Sequence, residues 1–470
     1  MIKKYIIIIL NISLYHTSLV FASDSTRVMN ITSFTARILK YHPIASQAAL
    51  FNDAARQELR MTKGLLDPSA TAKFYSKEFK GKSYYDMWDS RLIIPVWWGT
   101  DIKAGFERNA GAYVDGEDLT PAAGLSYLGI TVPLGQGLII DQRRSAIRQA
   151  RMLGRAAEAE RIKTINKLLL QANKDYWDWS FCYQKFQWHN LAFQLADTRF
   201  RMVKERVIQG DLAPLDSIEA GVELQNRLIT LRQSTLELRN ARLVISNYLW
   251  GDNETPFEID SLVIPEVLIN ALDFDRPDSL KSLLTFAQNN HPELIKLDVK
   301  IKQLDIERKF NADKLKPKLN LEYNLLNEGS PFSGKPIPDG IYTNQYKFGM
   351  SFSYPLFLRQ ERGKLGITKI KLRQSRLDYI QTNREITNQI LASYNELLTL
   401  KEQLRDQEKL TLQATALRDG EQKRFDNGES SFFLINTREN SLISQQVKLA
   451  EFKAKTAKSQ AFLLWAAGKN

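Results

Sequence analysis

The residues best suited to catalysis or metal binding are few in this chain, and they are scattered. Four histidines stand in 470 residues, at His16, His42, His189 and His291. No two of them share a turn of helix or a short strand, which excludes a histidine-paired zinc site. A single cysteine, Cys182, excludes an internal disulfide, a CxxC redox pair and a thiolate cluster. No Walker-type glycine loop ends in Lys and Ser or Thr, so nucleotide hydrolysis is not built in. No Ser, His and Asp set and no catalytic carboxylate pair stands out among the 53 acidic residues. His189 and Cys182 fall in the aromatic run Tyr176, Trp177, Trp179, Phe181, Tyr183, Phe186 and Trp188. That run reads as packing against a neighbouring helix rather than as a ligand box. The expectation is a protein that is not an enzyme and holds no cofactor or metal. Two carboxylates, Asp216 and Glu219, have a notable position just inside a helix that comes after a marked turn.

The elements around that turn are unusually long. Asp141 to Gln209 contains no proline, and at 1.5 Å per residue it would run for roughly 100 Å as a helix. Ile162, Ile165, Leu169, Ala172, Tyr176, Trp179, Tyr183 and Phe186 alternate in steps of three and four, the seam of a coiled coil. Gly210 can take the left-handed conformation that ends a helix, Asp211 can cap the returning helix, and Pro214 suits a first turn. A second such hairpin is expected from Gln360–Asn427 and Ser430–Leu464, with Gly428 ending the first arm and Ile386, Ile390, Tyr394, Leu397 and Leu404 as its seam.

These parts recur. His42-Pro43 returns as His291-Pro292, and Leu66-Asp67-Pro68 as Leu315-Lys316-Pro317, both 249 residues later. Arg206-x-x-x-Gly210 returns as Arg424-x-x-x-Gly428 at an offset of 218. The change of offset means about thirty extra residues in the first half, and the common order indicates an internal twofold repeat. Each half reads helix, strands, long helix, turn, long helix, the opening helix of the first half being expected at roughly Ile31–Leu65. Lys318–Leu325 and Tyr346–Tyr354 alternate strictly between apolar and polar residues, as transmembrane β-strands do. In the first half Ala70–Phe79 and Leu125–Pro133 form the matching pair. An extra hairpin across 84–108, turning at Trp97-Trp98-Gly99, supplies the surplus. Tyr84, Tyr85, Trp88, Trp97 and Trp98 suit an aromatic girdle at a membrane interface. So few strands cannot close a lipid-facing barrel, and open edges in lipid leave backbone groups unsatisfied, so copies of the chain are expected to share one barrel.

Composition agrees with export to an envelope. Met1–Ala22 has Lys3 and Lys4, an isoleucine-rich core and a small residue before a cut at Ser23, as in a secretory signal. No later apolar run is long enough for a membrane helix, and mean hydropathy is −0.33. The formal charge of +12 reads as a solvated helical surface or a contact with anionic headgroups, not as a nucleic-acid site.

In order and in motif, the chain from about Met29 to Ala467 resembles the TolC-like outer membrane efflux family. The resemblance rests on the His-Pro helix starts, the Pro-led strands, the Pro-Leu ends at 133–134 and 355–356, and the Arg-x-x-x-Gly turns. It implies a mixed α and β fold. A long antiparallel α-helical coiled-coil barrel would join a transmembrane β-barrel shared between the protomers of a homotrimer. It implies residues 1–22 as signal and 23–250 as first repeat, with strands about 69–134 and helical hairpin 141–249. An equatorial linker would come next at 251–277. The second repeat would be 278–470, with strands about 318–357 and hairpin 360–464. It implies a channel in the cell outer membrane, extending into the periplasm. The channel would work with a periplasmic adaptor protein and an inner-membrane pump of RND or ABC type. By position, Asp216 and Glu219 would form a periplasmic gate; at the corresponding places of the second repeat, where the family often has acids, stand Leu434 and Thr437. The adaptor-docking turns would hold Arg206, Gly210, Asp211, Arg424, Gly428 and Glu429. The extra hairpin departs from the family's two strands per half, and either adds barrel strands or lies outside the membrane. The rival expectation from composition and helices alone is a periplasmic coiled-coil adaptor or structural scaffold with no membrane barrel.

Overall fold

The computed structural model describes residues 27–267, 277–329 and 345–469. The signal at 1–22, most of the loop between the last two strands and part of the linker at 251–277 lie outside the described residues. The first half runs β1 (Arg27–Met29), α1 (Ile31–Tyr41), α2 (Pro43–Lys63), β2 (Ser69–Phe79), β3 (Lys82–Pro95), β4 (Asp101–Ala110), β5 (Leu125–Pro133), α3 (Gln142–Ile208) and α4 (Pro214–Ser246). After β6 (Val263–Pro265) come α5 (Pro277–Asn290), α6 (Pro292–Asp313), β7 (Lys318–Glu328), β8 (Tyr346–Ser353), α7 (Arg359–Asp426) and α8 (Phe432–Ala466).

The opening helix expected across 31–65 is not continuous. Proline disfavours helical dihedrals in the residue before it and has no N–H, and His42 is extended at φ −71°, ψ 132°. The same break falls at His291, so a helix not foreseen in the sequence, α5, precedes α6. The repeated His-Pro pair has a mechanism. Each Pro sits in the first turn, and each imidazole Nδ1 accepts a hydrogen bond as the N-cap, from the Ile44 N–H at 3.1 Å and the Glu293 N–H at 3.3 Å.

The strands form one antiparallel sheet in the order β2-β3-β4-β5-β7-β8. The extra hairpin is therefore inside the sheet, fully paired on both sides. Below the sheet the helices lie side by side in two tiers. Nearest the strands the order is α2-α3-α6-α7, and farther away it is α4-α3-α8-α7. In both tiers neighbours alternate in direction, because α2, α4, α6 and α8 run toward the sheet and α3 and α7 run away from it.

The helix seams bury as spaced at Leu169, Ala172, Tyr176 and Trp179 in α3, and at Ile386, Ile390, Leu397 and Leu404 in α7. Midway along α3 the buried face is wider than a seam, because α1, α4 and α8 all pack there and take in Leu168, Trp177, Phe34, Tyr248 and Ala454. The Tyr176 hydroxyl donates to the Met29 carbonyl at 2.7 Å and accepts from the Glu266 N–H at 3.0 Å. It thereby straps the two-stranded β1–β6 pair to the middle of α3. Burial, reinforced by Glu237 and Asp178, pushes the Cys182 thiol up to about 11, which makes it a packed residue and not a nucleophile.

Loss of hydration holds both capping imidazoles, His42 and His291, below the usual value of 6.5. The unfolded chain therefore takes up these protons first. Stability is complete above 6.5 and falls as pH drops below it. The thermal midpoint should decline between about pH 7 and pH 5.5. In the His42→Asn, His291→Asn variant, whose caps do not titrate there, that slope should be reduced. Identical slopes would remove the capping role.

Candidate functional site

The two helical turns are built alike. Gly210 has φ +83° and Gly428 has φ +78°. The N–H after each glycine donates back to the carbonyl four residues before the glycine, Asp211 to Arg206 at 2.9 Å and Glu429 to Arg424 at 2.8 Å. This is the Schellman closure, and it explains why the glycine recurs. No atom lies within 4 Å of a Cβ built on either glycine, so glycine is needed there for its backbone conformation alone. Arg206, Gly210, Asp211, Arg424, Gly428 and Glu429 are all exposed at the same end of the molecule. Around them lie the exposed apolar side chains Ile208, Leu215, Ile218 and Phe433, which no motif had singled out.

Asp216 and Glu219 differ in setting. The Asp216 carboxylate accepts a hydrogen bond from the Ala213 N–H at 3.1 Å and closes the first turn of α4. Glu219 is exposed one turn on. The corresponding second-repeat positions, Leu434 and Thr437, carry no charge; the Thr437 hydroxyl donates to its own helix at the Phe433 carbonyl.

About 14 Å from the turns, the two hairpins are tied by a charge pair that the sequence did not reveal. Arg199 of α3 and Glu439 of α8 are both buried, and their guanidinium and carboxylate meet through two hydrogen bonds of 2.7 and 2.6 Å. Beside them Asn440 donates to Glu223 at 3.3 Å, and Glu223 pairs with Arg227 at 2.7 Å. Partners 240 residues apart on helices of mixed charge read as solvated faces in sequence; their burial comes from the crossing of α3 and α8.

At the other end, the two faces of the sheet are chemically opposite. One carries unbroken apolar rows across the strands: Leu92, Ala104, Leu128, Leu325 and Tyr346 in register, then Ile94, Ile102, Ile130, Tyr323 and Phe348. Most of this face is exposed, with Phe352 at 66%. The opposite face is polar and largely satisfied. Lys103 reaches across β5 to Glu322 at 3.1 Å, Asn324 donates to the same carboxylate oxygen at 3.1 Å, and Arg91 donates to the Tyr127 hydroxyl at 3.0 Å. A Cβ at Gly129 would overlap Asn324, and one at Gly105 would overlap Tyr127, so glycine makes room for this layer.

The aromatic set is divided between the ends of β3. Tyr84 and Tyr85 lie at the far end, where Tyr84 stacks on Tyr113 at 4.5 Å. Trp88 lies along the strand, paired with Phe74 on β2. Trp97 and Trp98 lie at the helix-proximal turn, where Arg151 stands over the Trp97 ring. That end also exposes Leu65, Leu138, Ile139, Leu356 and Phe357, an apolar belt formed by the short links between helices and strands. The belt is held to the helices by charge. Arg143 grips Asp101 of β4 through two bonds of 2.8 and 3.2 Å, and the buried Asp313 at the end of α6 accepts from the Gly137 N–H at 2.7 Å. Among the described residues, no helix is long and apolar enough to cross a membrane.

Residues 283–469 match the family model for outer membrane efflux proteins. That part of the chain is an outer membrane efflux protein domain. No curated protein matches the chain's sequence. The chain's fold is shared by outer membrane channels of known structure at low identity. It is similar to the CmeC channel of Campylobacter jejuni at 13% identity and a TM-score of 0.64, covering 93% of this chain and 85% of that one. It is similar to the open state of the MtrE channel of Neisseria gonorrhoeae at 12% identity and a TM-score of 0.66, covering 93% and 89%. It is similar to VceC of Vibrio cholerae at 13% identity and a TM-score of 0.63, covering 94% and 96%. Members of this family are channels, not enzymes. The mixed helical and sheet architecture of this chain matches theirs.

Removing one side of the Arg199–Glu439 pair leaves a buried, unpaired charge, a change that typically costs about 3–5 kcal/mol. Glu439→Ala should lower the thermal midpoint and increase protease cleavage near the turns. The double variant Arg199→Met, Glu439→Leu should recover much of the loss. Equal behaviour of parent and single variant would show that the pair does not hold the hairpins together. Gly210→Val or Gly428→Val should strain each turn by about 1–2 kcal/mol. Unchanged local protease resistance in both would contradict the backbone argument.

Proposed function

We propose that the whole chain is a TolC-like outer membrane efflux protein and works as a homotrimeric duct, in which three copies close both the β-sheet and the helical layer into one continuous channel. The observation that carries the proposal is the pair of open edges. On one side the chain ends in β2, α2 and α4; on the other it ends in β8 and α7. β2 runs away from the helices and β8 toward them, so the two edges would meet antiparallel, as would α4 and α7. Both helical edges carry exposed apolar side chains: Leu215, Ile218, Val222, Ile229, Leu236 and Leu243 on α4, and Ile370, Leu377, Leu391, Leu398 and Leu412 on α7. They also match in depth. Ile229 is fifteen residues into α4 and Leu412 fourteen from the end of α7, and they are 64% and 71% exposed. Leu243 and Leu398 match in the same way.

Closed in this way, the sheet would turn its apolar face to outer membrane lipids and its polar face to water. The twofold repeat would supply alternating inner and outer helical hairpins, with the described part of the linker, 251–267, forming a belt around their middle. The turns at Gly210 and Gly428, with Arg206, Asp211, Arg424 and Glu429, would receive a periplasmic adaptor, and an inner-membrane pump of RND or ABC type would supply the energy. Glu219 would line the periplasmic gate. Asp216 would contribute charge there while capping α4.

The edges can be tested directly. In a Cys182→Ser background, Ile229→Cys with Leu412→Cys should cross-link between chains through a short bismaleimide, giving dimers and trimers but nothing larger. Ile229→Cys with Ile370→Cys, at unequal depth, should not. A chain that stays monomeric, or leaves the periplasm without detergent, would overturn the duct and favour the periplasmic scaffold.

A further inference from the structure

We infer that the assembled protein opens to the exterior through an eighteen-stranded barrel as wide as its helical tunnel, an exit for bulky water-soluble cargo. The inference rests on the trimeric duct reading and concerns what the extra hairpin does within it. β3 and β4 lie between β2 and β5, in the middle of the sheet, and pair along their lengths. The apolar rows pass through them without interruption, by Leu92 and Ala104 in one row and by Ile94 and Ile102 in the next. The polar face passes through them as well, since Lys103 of β4 reaches Glu322 of β7 across β5. A hairpin folded outside the membrane would not keep one apolar and one polar face in register with its neighbours. These two strands belong to the wall.

Width points the same way. Strands about 4.8 Å apart and tilted by about 40° take up roughly 6 Å of circumference each. Six of them then span about 37 Å, and four packed helices at 8–10 Å each span about 32–40 Å. The sheet and the helical layer of one chain are thus equally wide, and three copies meet without a step between barrel and tunnel. Eighteen strands give a backbone diameter of about 36 Å, the class of barrel that leaves an aqueous channel, against about 24 Å for twelve. After about 5 Å of side chain on each wall, the free bore is roughly 25 Å. The polar side chains that would line it carry both signs, from Lys103, Arg91, Asp89 and Glu322, which suits hydrated solutes over apolar ones.

The test reads the bore from outside the cell. Lys103→Cys and, separately, Ser351→Cys place a thiol deep on the polar face. Leu92→Cys places one on the apolar face. All are made in the Cys182→Ser background. Maleimide-polyethylene glycols of graded size are applied to intact cells, and trimers are scored on the Ile229–Leu412 cross-link. Reagents about 20 Å across should modify positions 103 and 351 but not 92, and a lipid-soluble maleimide should modify 92. Labelling of 103 and 351 by small reagents only would overturn the wide exit while leaving the trimer intact. Equal water-soluble labelling of 92 and 103 would place the hairpin outside the wall. Loss of the cross-linked trimer would instead refute the duct reading beneath both.

Discussion

A β-sheet with one apolar face has to lose its edges. In hydrocarbon no water satisfies a free N–H or C=O, and each unpaired group costs several kcal/mol. The six-stranded sheet has two such edges, β2 and β8, and an apolar face that no helix among the described residues covers. A single copy is therefore an incomplete object on physical grounds. The even number of strands makes the remedy simple, because the outermost strands run in opposite directions and copies can join them in the same antiparallel pattern that holds the sheet itself.

The helices obey the same logic by different chemistry. α3 and α7 are far too long for a compact core, and their hydrophobic stripes bury only where other helices lie beside them. Within the chain each tier is four helices wide, alternating in direction, with apolar seams left over on α4 and α7. Water makes these exposed seams unfavourable where lipid would make the open strands unfavourable, and under the proposed trimer one rotation of the whole chain would resolve both. The charge ties serve position more than stability. Arg143 with Asp101 and Asp313 with the Gly137 N–H set the angle between sheet and helices, and Arg199 with Glu439 sets the two hairpins at one depth.

Much of this was legible in the sequence because two periodicities carry it. Strict alternation located β7 and β8 to within a few residues, and proline-free heptads located both long helices almost to their ends. The turns were legible because only glycine suits their backbone. What alternation cannot give is neighbour order, so the extra hairpin was visible as a hairpin but not as the middle of the sheet. His-Pro was visible as a helix start, but the capping imidazole and the helix before it were not, since a cap depends on one side-chain rotation. The Arg199–Glu439 pair was hidden because charged residues on long helices are normally solvated. The girdle expectation gathered residues by type, and β3 separates them by its length.

The claim that copies of this chain share one channel is tested most directly by electron cryo-microscopy of the detergent-extracted protein. The account calls for a threefold particle with a hollow cylinder of helices roughly 100 Å long, continuous with a closed β-barrel. A monomer with a free sheet, a compact particle or a symmetric assembly joined through other surfaces would contradict it.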